Sequence, residues 1–199
     1  MSLALQIFRN SAGFNEKAKF EVSNHKYTDL SETRYGAALL NDCKYGISVE
    51  EGSMRLTLHK GGCRPDYRGD KGRHRCAYAF LPHLGSMNAE NVIQPGYLFN
   101  DPSICVNGEL HVEPLVSVDQ SNILVETIKP AEDGGKRYIA RLYEAEGART
   151  AANVAFASSA VRVEQTNMLE ETETTFSAEP TIPMEFAPFE IKTLMVTFA

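Results

Sequence analysis

Asp66 and Asp70 lie in a segment that also carries Arg64, Arg68, Arg73 and His74, residue types that supply acid, base and cation to a polar substrate. The same residues serve equally as turn builders whose charges pair locally in water. Carboxylates on an open loop are seldom desolvated enough to shift their pKa, so the spacing by itself favours the local use. Cys43 with His25 or His74 would make a thiolate–imidazole pair, but no local signature brings them together, and an inert thiol is the simpler reading. His25 and Asp29 are spaced to converge on a helix; among strand and turn residues they do not, and no metal site is expected. "GGCRPDYRGDKG" lacks the glycine spacing and the following helix of a phosphate-binding loop. No self-sufficient active site emerges, and no residue is assigned a catalytic role.

A second polar cluster closes "YGAALLNDCKYG", Tyr35 to Gly46. "GAALL" has the character of a buried strand. Asn41 and Asp42 are suited to accept from backbone amides in the turn that follows, and Gly46 relaxes the bend. Lys44 and Tyr45 face the question of domain docking.

The elements that must position these groups are strands. "AKFEV" (Ala18 to Val22), "GAALL" (Gly36 to Leu40), "MRLTLHK" (Met54 to Lys60) and "RCAYAFLP" (Arg75 to Pro82) all carry strand character. In "RLTLHK", Leu56 and Leu58 alternate with Arg55, Thr57 and His59. "VEEGSM" reads as a hairpin turn in which Gly52 takes the positive φ. The stretch from Gly61 to Arg75 follows neither period and is expected as a long loop. After a break at "YLFNDPSICVNGE", strands resume at Ile123 to Pro130, Arg137 to Ala145, Ala152 to Ala157, Ala160 to Thr166 and Phe189 to Phe198, spaced as in a β-sandwich. Only "GSMNAENVIQ" (Gly85 to Gln94) suggests a helix.

The 199 residues are 43% apolar and 23% charged, an ordinary globular composition. A net charge of −6 argues against nucleic acid or an anionic membrane as partner, and leaves a neutral small ligand or a protein. Neither a spanning apolar run nor a signal peptide is present, so a cytoplasmic location is expected. Met1-Ser2-Leu3 reads as an added start to a sequence that begins further upstream. The four cysteines lack zinc-site spacing and are expected as free thiols.

"AKFEVSNHKYTDLSE", "YGAALLNDCKYG", "MRLTL", "RPDYRGDKGRHRCAYAFLPH", "RLYEAEG" and "PFEIKTLMV" resemble, in that order, the C-terminal part of glycoside hydrolase family 38 α-mannosidases of the cytosolic and bacterial branch. The resemblance implies an all-β chain: the end of a large galactose-mutarotase-like β-sandwich over residues 4–100, then a smaller terminal β-sandwich over 105–199. It implies that the zinc ion and the aspartate nucleophile belong to an N-terminal catalytic barrel, that this chain holds no cofactor, and that alone it should be inactive. Its partners would then be that barrel and, for the whole protein, a mannose-containing oligosaccharide. If loops here reach the active-site rim, the candidates are Asn41, Asp42, Lys44, Tyr45, Arg64, Asp66, Asp70 and His74. Exposed edges and apolar faces would also allow association with a second copy. The other readings are a freestanding carbohydrate-binding sandwich, weakened by the absence of Trp, and an assembly module.

Overall fold

The computed structural model describes residues 21–50, 52–109, 112–176 and 179–199. It is an all-β protein with one short helical segment, in two compact units that divide between Cys105 and Val106.

The first unit contains two antiparallel three-stranded sheets. One joins β1 (Val22–Ser23), β4 (Gly46–Glu50) and β5 (Ser53–Leu56) in the order β1-β4-β5. The other joins β2 (Tyr27–Ser31), β3 (Tyr35–Asn41) and β6 (Tyr78–Leu84) in the order β2-β3-β6. β4 and β5 form a tight hairpin, Glu50 pairing with Ser53, and Gly52 takes φ +79° as that turn requires.

Three expectations shift here. Of the stretch expected as a strand over Ala18 to Val22, residues 18–20 lie outside the described residues. β5 stops at Leu56, so Leu58 does not continue the alternation and is exposed. β6 begins at Tyr78 rather than Arg75 and runs past Pro82; it is an edge strand, where proline's missing N–H costs no ladder bond.

The helical segment also extends beyond Gln94. A π turn (Ala89–Ile93) leads directly into α1 (Gln94–Asn100). Pro95 falls in the first turn of α1, directly after the π turn, and does not end the helix. Asn88 starts the segment with a capping box: its Oδ1 accepts from the N–H groups of Glu90 (2.9 Å) and Asn91 (2.8 Å), and Asn91 Oδ1 accepts from Asn88 N–H at 2.8 Å. Ala89, Val92 and Ile93 are fully buried. Gly96 abuts the Tyr27 ring so closely that a β-carbon would stand 2.8 Å from Tyr27 Cδ1. The helical segment thus covers the face of the second sheet that carries Tyr27, Ala38 and Leu40.

The second unit is a sandwich of a three-stranded and a five-stranded antiparallel sheet. The small sheet is β13 (Thr181–Phe186), β10 (Thr150–Phe156) and β7 (Val116–Val118), in that order. The large one is β12 (Thr172–Phe176), β11 (Ala160–Thr166), β14 (Ile191–Phe198), β9 (Arg137–Glu144) and β8 (Ile123–Pro130). Alternate residues of the two sheets interlock in one core: Leu142, Leu194 and Val196 meet Val154, Phe156 and Phe186. β13 alternates buried and exposed at every step, with Ile182, Met184 and Phe186 inward. Pro183 sits outward on this edge strand.

Candidate functional site

The turn after β3 is built around a buried amide. Asn41 is fully enclosed; its Oδ1 accepts from Lys44 N–H at 3.0 Å, and its own N–H donates to the Lys26 carbonyl at 2.9 Å. Asn100, at the end of α1, donates from Nδ2 to the Asn41 carbonyl at 3.0 Å. These bonds make Asn41 a turn residue closed off from solvent. Asp42, beside it, is exposed, and the Cys43 thiol, followed by the Ala77 backbone amide, holds its carboxyl below the usual carboxylate range. Lys44 is half-buried. Tyr45 is exposed and meets the His25 ring edge-on at 4.6 Å between centroids.

The segment between β5 and β6 has no regular structure. Arg64, Asp66, Asp70 and His74 are all exposed. Asp66 Oδ1 accepts from Arg68 N–H at 2.8 Å, and the Asp66 carbonyl accepts from Gly69 N–H at 3.1 Å, a turn closed by its own aspartate. Asp70 takes φ +57°, and His74 Nε2 lies 2.7 Å from its carbonyl oxygen, while the His74 ring stands 4.7 Å from that of His59. The exposed Tyr67 ring is flanked by Arg68 and Lys71. Among the described residues no three His, Cys, Asp or Glu side chains gather at one point. The far end of this loop does come back to the turn: Asp42 N–H donates to the Ala77 carbonyl at 3.2 Å, and Cys43 Sγ lies 3.6 Å from the Arg75 carbonyl.

Two polar centres escaped the sequence. His83 Nε2 lies 2.7 Å from Asp29 Oδ1, with both side chains almost wholly buried under the helical segment. Asn91 Nδ2 is 3.3 Å from His83 Nδ1. The Asn91 amide is oriented by the cap, since its oxygen already accepts from Asn88; its NH₂ group faces Nδ1 and the Leu84 and Ser86 carbonyls, an arrangement that suits Nδ1 as acceptor and Nε2–H as donor to Asp29. Gly36 makes room for the ring: a β-carbon there would lie 2.6 Å from His83 Cε1. In the second unit Glu144 is fully buried and accepts four bonds, two on each oxygen. Asn122 Nδ2 and Glu146 N–H, both at 2.9 Å, reach Oε1; Gly147 N–H at 2.7 Å and Phe189 N–H at 3.0 Å reach Oε2. The Asp29–His83, Asn122–Glu144 and Glu144–Phe189 pairs are far apart in sequence, so no local spacing announces them.

One surface stands apart by its chemistry. The face of the β2-β3-β6 sheet away from α1 presents Tyr35, Tyr78, Phe80 and Leu84 to solvent, with Phe80 68% and Leu84 86% exposed. Register sets Tyr35 opposite Leu84 and Leu39 opposite Phe80, so these side chains form one continuous patch.

This fold is that of a β-sandwich protein. Residues 6–68 match the glycosyl hydrolases family 38 C-terminal domain, and residues 122–194 match the family 38 C-terminal beta sandwich domain. Alpha-mannosidase G of Dictyostelium discoideum is 37% identical over 189 residues, covering 88% of this chain and 17% of that protein. Alpha-mannosidase 2C1 of Homo sapiens is 40% identical over 136 residues, covering 65% of this chain and 13% of that protein. The crystal structure of a family 38 protein from Enterococcus faecalis superposes with a TM-score of 0.63 at 15% identity, over 90% of this chain and 22% of that chain. The chain belongs to glycosyl hydrolase family 38, as a C-terminal region of the α-mannosidase type. It spans less than a fifth of the length of the curated relatives it matches.

Proposed function

We propose that this chain is the C-terminal β-sandwich region of a cytoplasmic, retaining, zinc-dependent α-mannosidase that removes terminal α-linked mannose. The observation that carries the reading is the pair of family 38 domain matches, one in each unit, joined to relatives named as α-mannosidases. Its role is to support the catalytic barrel. In this reading the zinc belongs to that barrel; among the described residues no three His, Cys, Asp or Glu side chains gather to hold it. The apolar patch around Phe80 and Leu84 supports packing against another part of the same protein, because a face of this kind on water is unfavourable. Asp42, Lys44, Tyr45, Arg64, Asp66, Asp70 and His74 are the residues offered to the active-site rim; Asn41 supports them from within the turn.

The exposed rings of Tyr35, Tyr78 and Phe80 favour a second reading, a freestanding sugar-stacking platform. Against it, the patch mixes these rings with Leu84 and Pro82, whereas sugar sites surround their rings with hydrogen-bonding groups.

The test expresses the polypeptide of the relatives' length that contains this chain and assays mannose release from an aryl α-mannoside, with and without a zinc chelator, beside the 199-residue chain. Release by the long form alone, lost on chelation, is the expected result. A long form with no such activity overturns the reading, and saturable binding of mannose by the short chain transfers the weight to the sugar platform.

A further inference from the structure

We propose that Cys43 and Cys76 are a reversible disulfide site, a cross-strand pair that clasps the turn after β3 to the end of the loop entering β6. The inference stands on the ladder geometry and does not depend on the glycosidase reading.

The β3–β6 register ends by pairing Asn41 with Tyr78, and the Asp42 N–H to Ala77 carbonyl bond at 3.2 Å follows it into the bend that holds Asp42 and Cys43. The same register carried one step further sets Cys43 against Cys76. Antiparallel ladders alternate hydrogen-bonded and non-hydrogen-bonded pairs. Because Asp42 and Ala77 share a bond, as do Arg34 and Gly85 at the other end, Cys43 and Cys76 fall on a non-hydrogen-bonded position. There the Cα atoms of opposed residues approach to about 4.5 Å and the side chains share a face, which lies within disulfide reach. Two side-chain observations agree. Cys43 Sγ lies 3.6 Å from the carbonyl of Arg75, the residue just before Cys76, and the Cys76 sulfur is near enough to contribute to the upward shift of the Cys43 pKa. Cys43 is exposed and Cys76 half-buried, both as free thiols, so an oxidant can reach the pair.

The oxidant is a low-molecular-weight disulfide such as glutathione disulfide. One protein thiolate attacks it and expels a glutathione thiolate; the partner thiolate then attacks the protein-bound sulfur and expels the second. The two protein thiols lose two protons and two electrons, and the oxidant leaves as two thiols. The neighbouring Asp42 carboxylate is the main cause of the raised Cys43 pKa. Either thiol opens the exchange and the other resolves it. Closing the bond ties the turn that carries Lys44 and Tyr45 to the base of the loop that carries Asp66 and His74.

The experiment incubates the reduced 199-residue chain with defined ratios of reduced and oxidised glutathione, blocks remaining thiols with an alkylating reagent, and maps unreduced peptides by mass spectrometry. The expected product is a Cys43–Cys76 linked peptide, reversed by excess reduced glutathione and still formed when Cys63 and Cys105 are both replaced by Ser. Asp42→Asn, which removes the carboxylate that raises the Cys43 pKa, is expected to speed its formation at neutral pH. In Cys43→Ser, glutathione should remain attached at Cys76. The proposal is overturned if Cys43 and Cys76 of the wild-type chain stay alkylatable while Cys63 and Cys105 are glutathionylated. Pairing of either one with Cys63 or Cys105 would overturn it as well.

Discussion

The Glu144 carboxylate accepts the Phe189 backbone N–H at 3.0 Å, fastening the last residue of β9 to the turn that opens β14, 45 residues away in sequence. Burial alone would push this carboxyl up, but the amides of Phe189 and Glu146, the Asn122 side chain and the Gly147 amide together outweigh it and hold the pKa below the usual carboxylate range. A depressed folded-state pKa means that the stabilisation is present above the unfolded-state pKa of about 4.3 and is lost as pH falls through the folded-state value. Glu144→Ala removes the shared acceptor of four donors and should destabilise the chain by about 3 kcal/mol at neutral pH. Glu144→Gln, which keeps one acceptor oxygen, should cost less. Urea midpoints measured from neutral pH downward test this: the gap between wild type and Glu144→Gln should narrow through the acidic range, and a gap independent of pH would show that ionisation of Glu144 contributes nothing.

Gly147 faces two constraints at once. It takes φ +77°, and a β-carbon there would lie 2.7 Å from Phe189 Cζ. Gly134 takes nearly the same φ, +73°, with nothing within 4 Å of its virtual β-carbon. Alanine at 134 should therefore lose only the backbone term, about 1 kcal/mol, whereas Gly147→Ala adds displacement of the ring and should cost about 2–3 kcal/mol. Thermal denaturation of the two variants side by side separates the terms; equal losses would mean that the Phe189 ring moves aside freely.

The strands of the second unit were readable from apolar runs between turn signals: "RYIARLYE" and "IKTLMVTF" carry Ala140, Leu142, Leu194 and Val196 into the main core, while Ile139 and Met195 are buried on the opposite face and blur the period of two. β13 was hidden because Pro183 argues against a strand until its position on an edge is known, and β12, "TETTF", has almost no apolar face to read. The turn role of Asn41 was legible from residue type, but its enclosure was not, because it depends on Asn100 reaching back across the fold. Asp29 was weighed against His25, its near neighbour in sequence, whereas the fold pairs it with His83 from another strand. Local spacing reports local geometry; the buried polar centres are made by contacts between distant segments.

The His83 centre makes a prediction about tautomer and partner. With Asn91 oriented by the cap, the neutral imidazole should carry its proton on Nε2, a state that ¹⁵N chemical shifts identify directly. Asp29→Asn keeps an acceptor for that proton and should cost less than Asp29→Ala, which leaves a buried N–H unpaired at about 2 kcal/mol. Gly36→Ala should be worse than either Asp29 change, because its β-carbon enters the space of Ser31 Cβ and of the ring. Nδ1–H in the spectrum would reverse the assignment and leave the Asn91 NH₂ group to the Leu84 and Ser86 carbonyls alone.

The apolar face of the β2-β3-β6 sheet separates stability from docking. Phe80 and Leu84 are exposed, so replacing both by Ser should change the unfolding free energy of the 199-residue chain by no more than about 0.5 kcal/mol. If the same face packs against another part of the full polypeptide, that double substitution removes two large apolar contacts and should destabilise the long form by about 3–4 kcal/mol, on the scale of burying two such side chains. Parallel melting curves of the short and long forms, each with and without the substitutions, read the difference. A long form as tolerant as the short one would mean that the patch stays in water in both, and the family packing proposed for it would have to be sought on another surface.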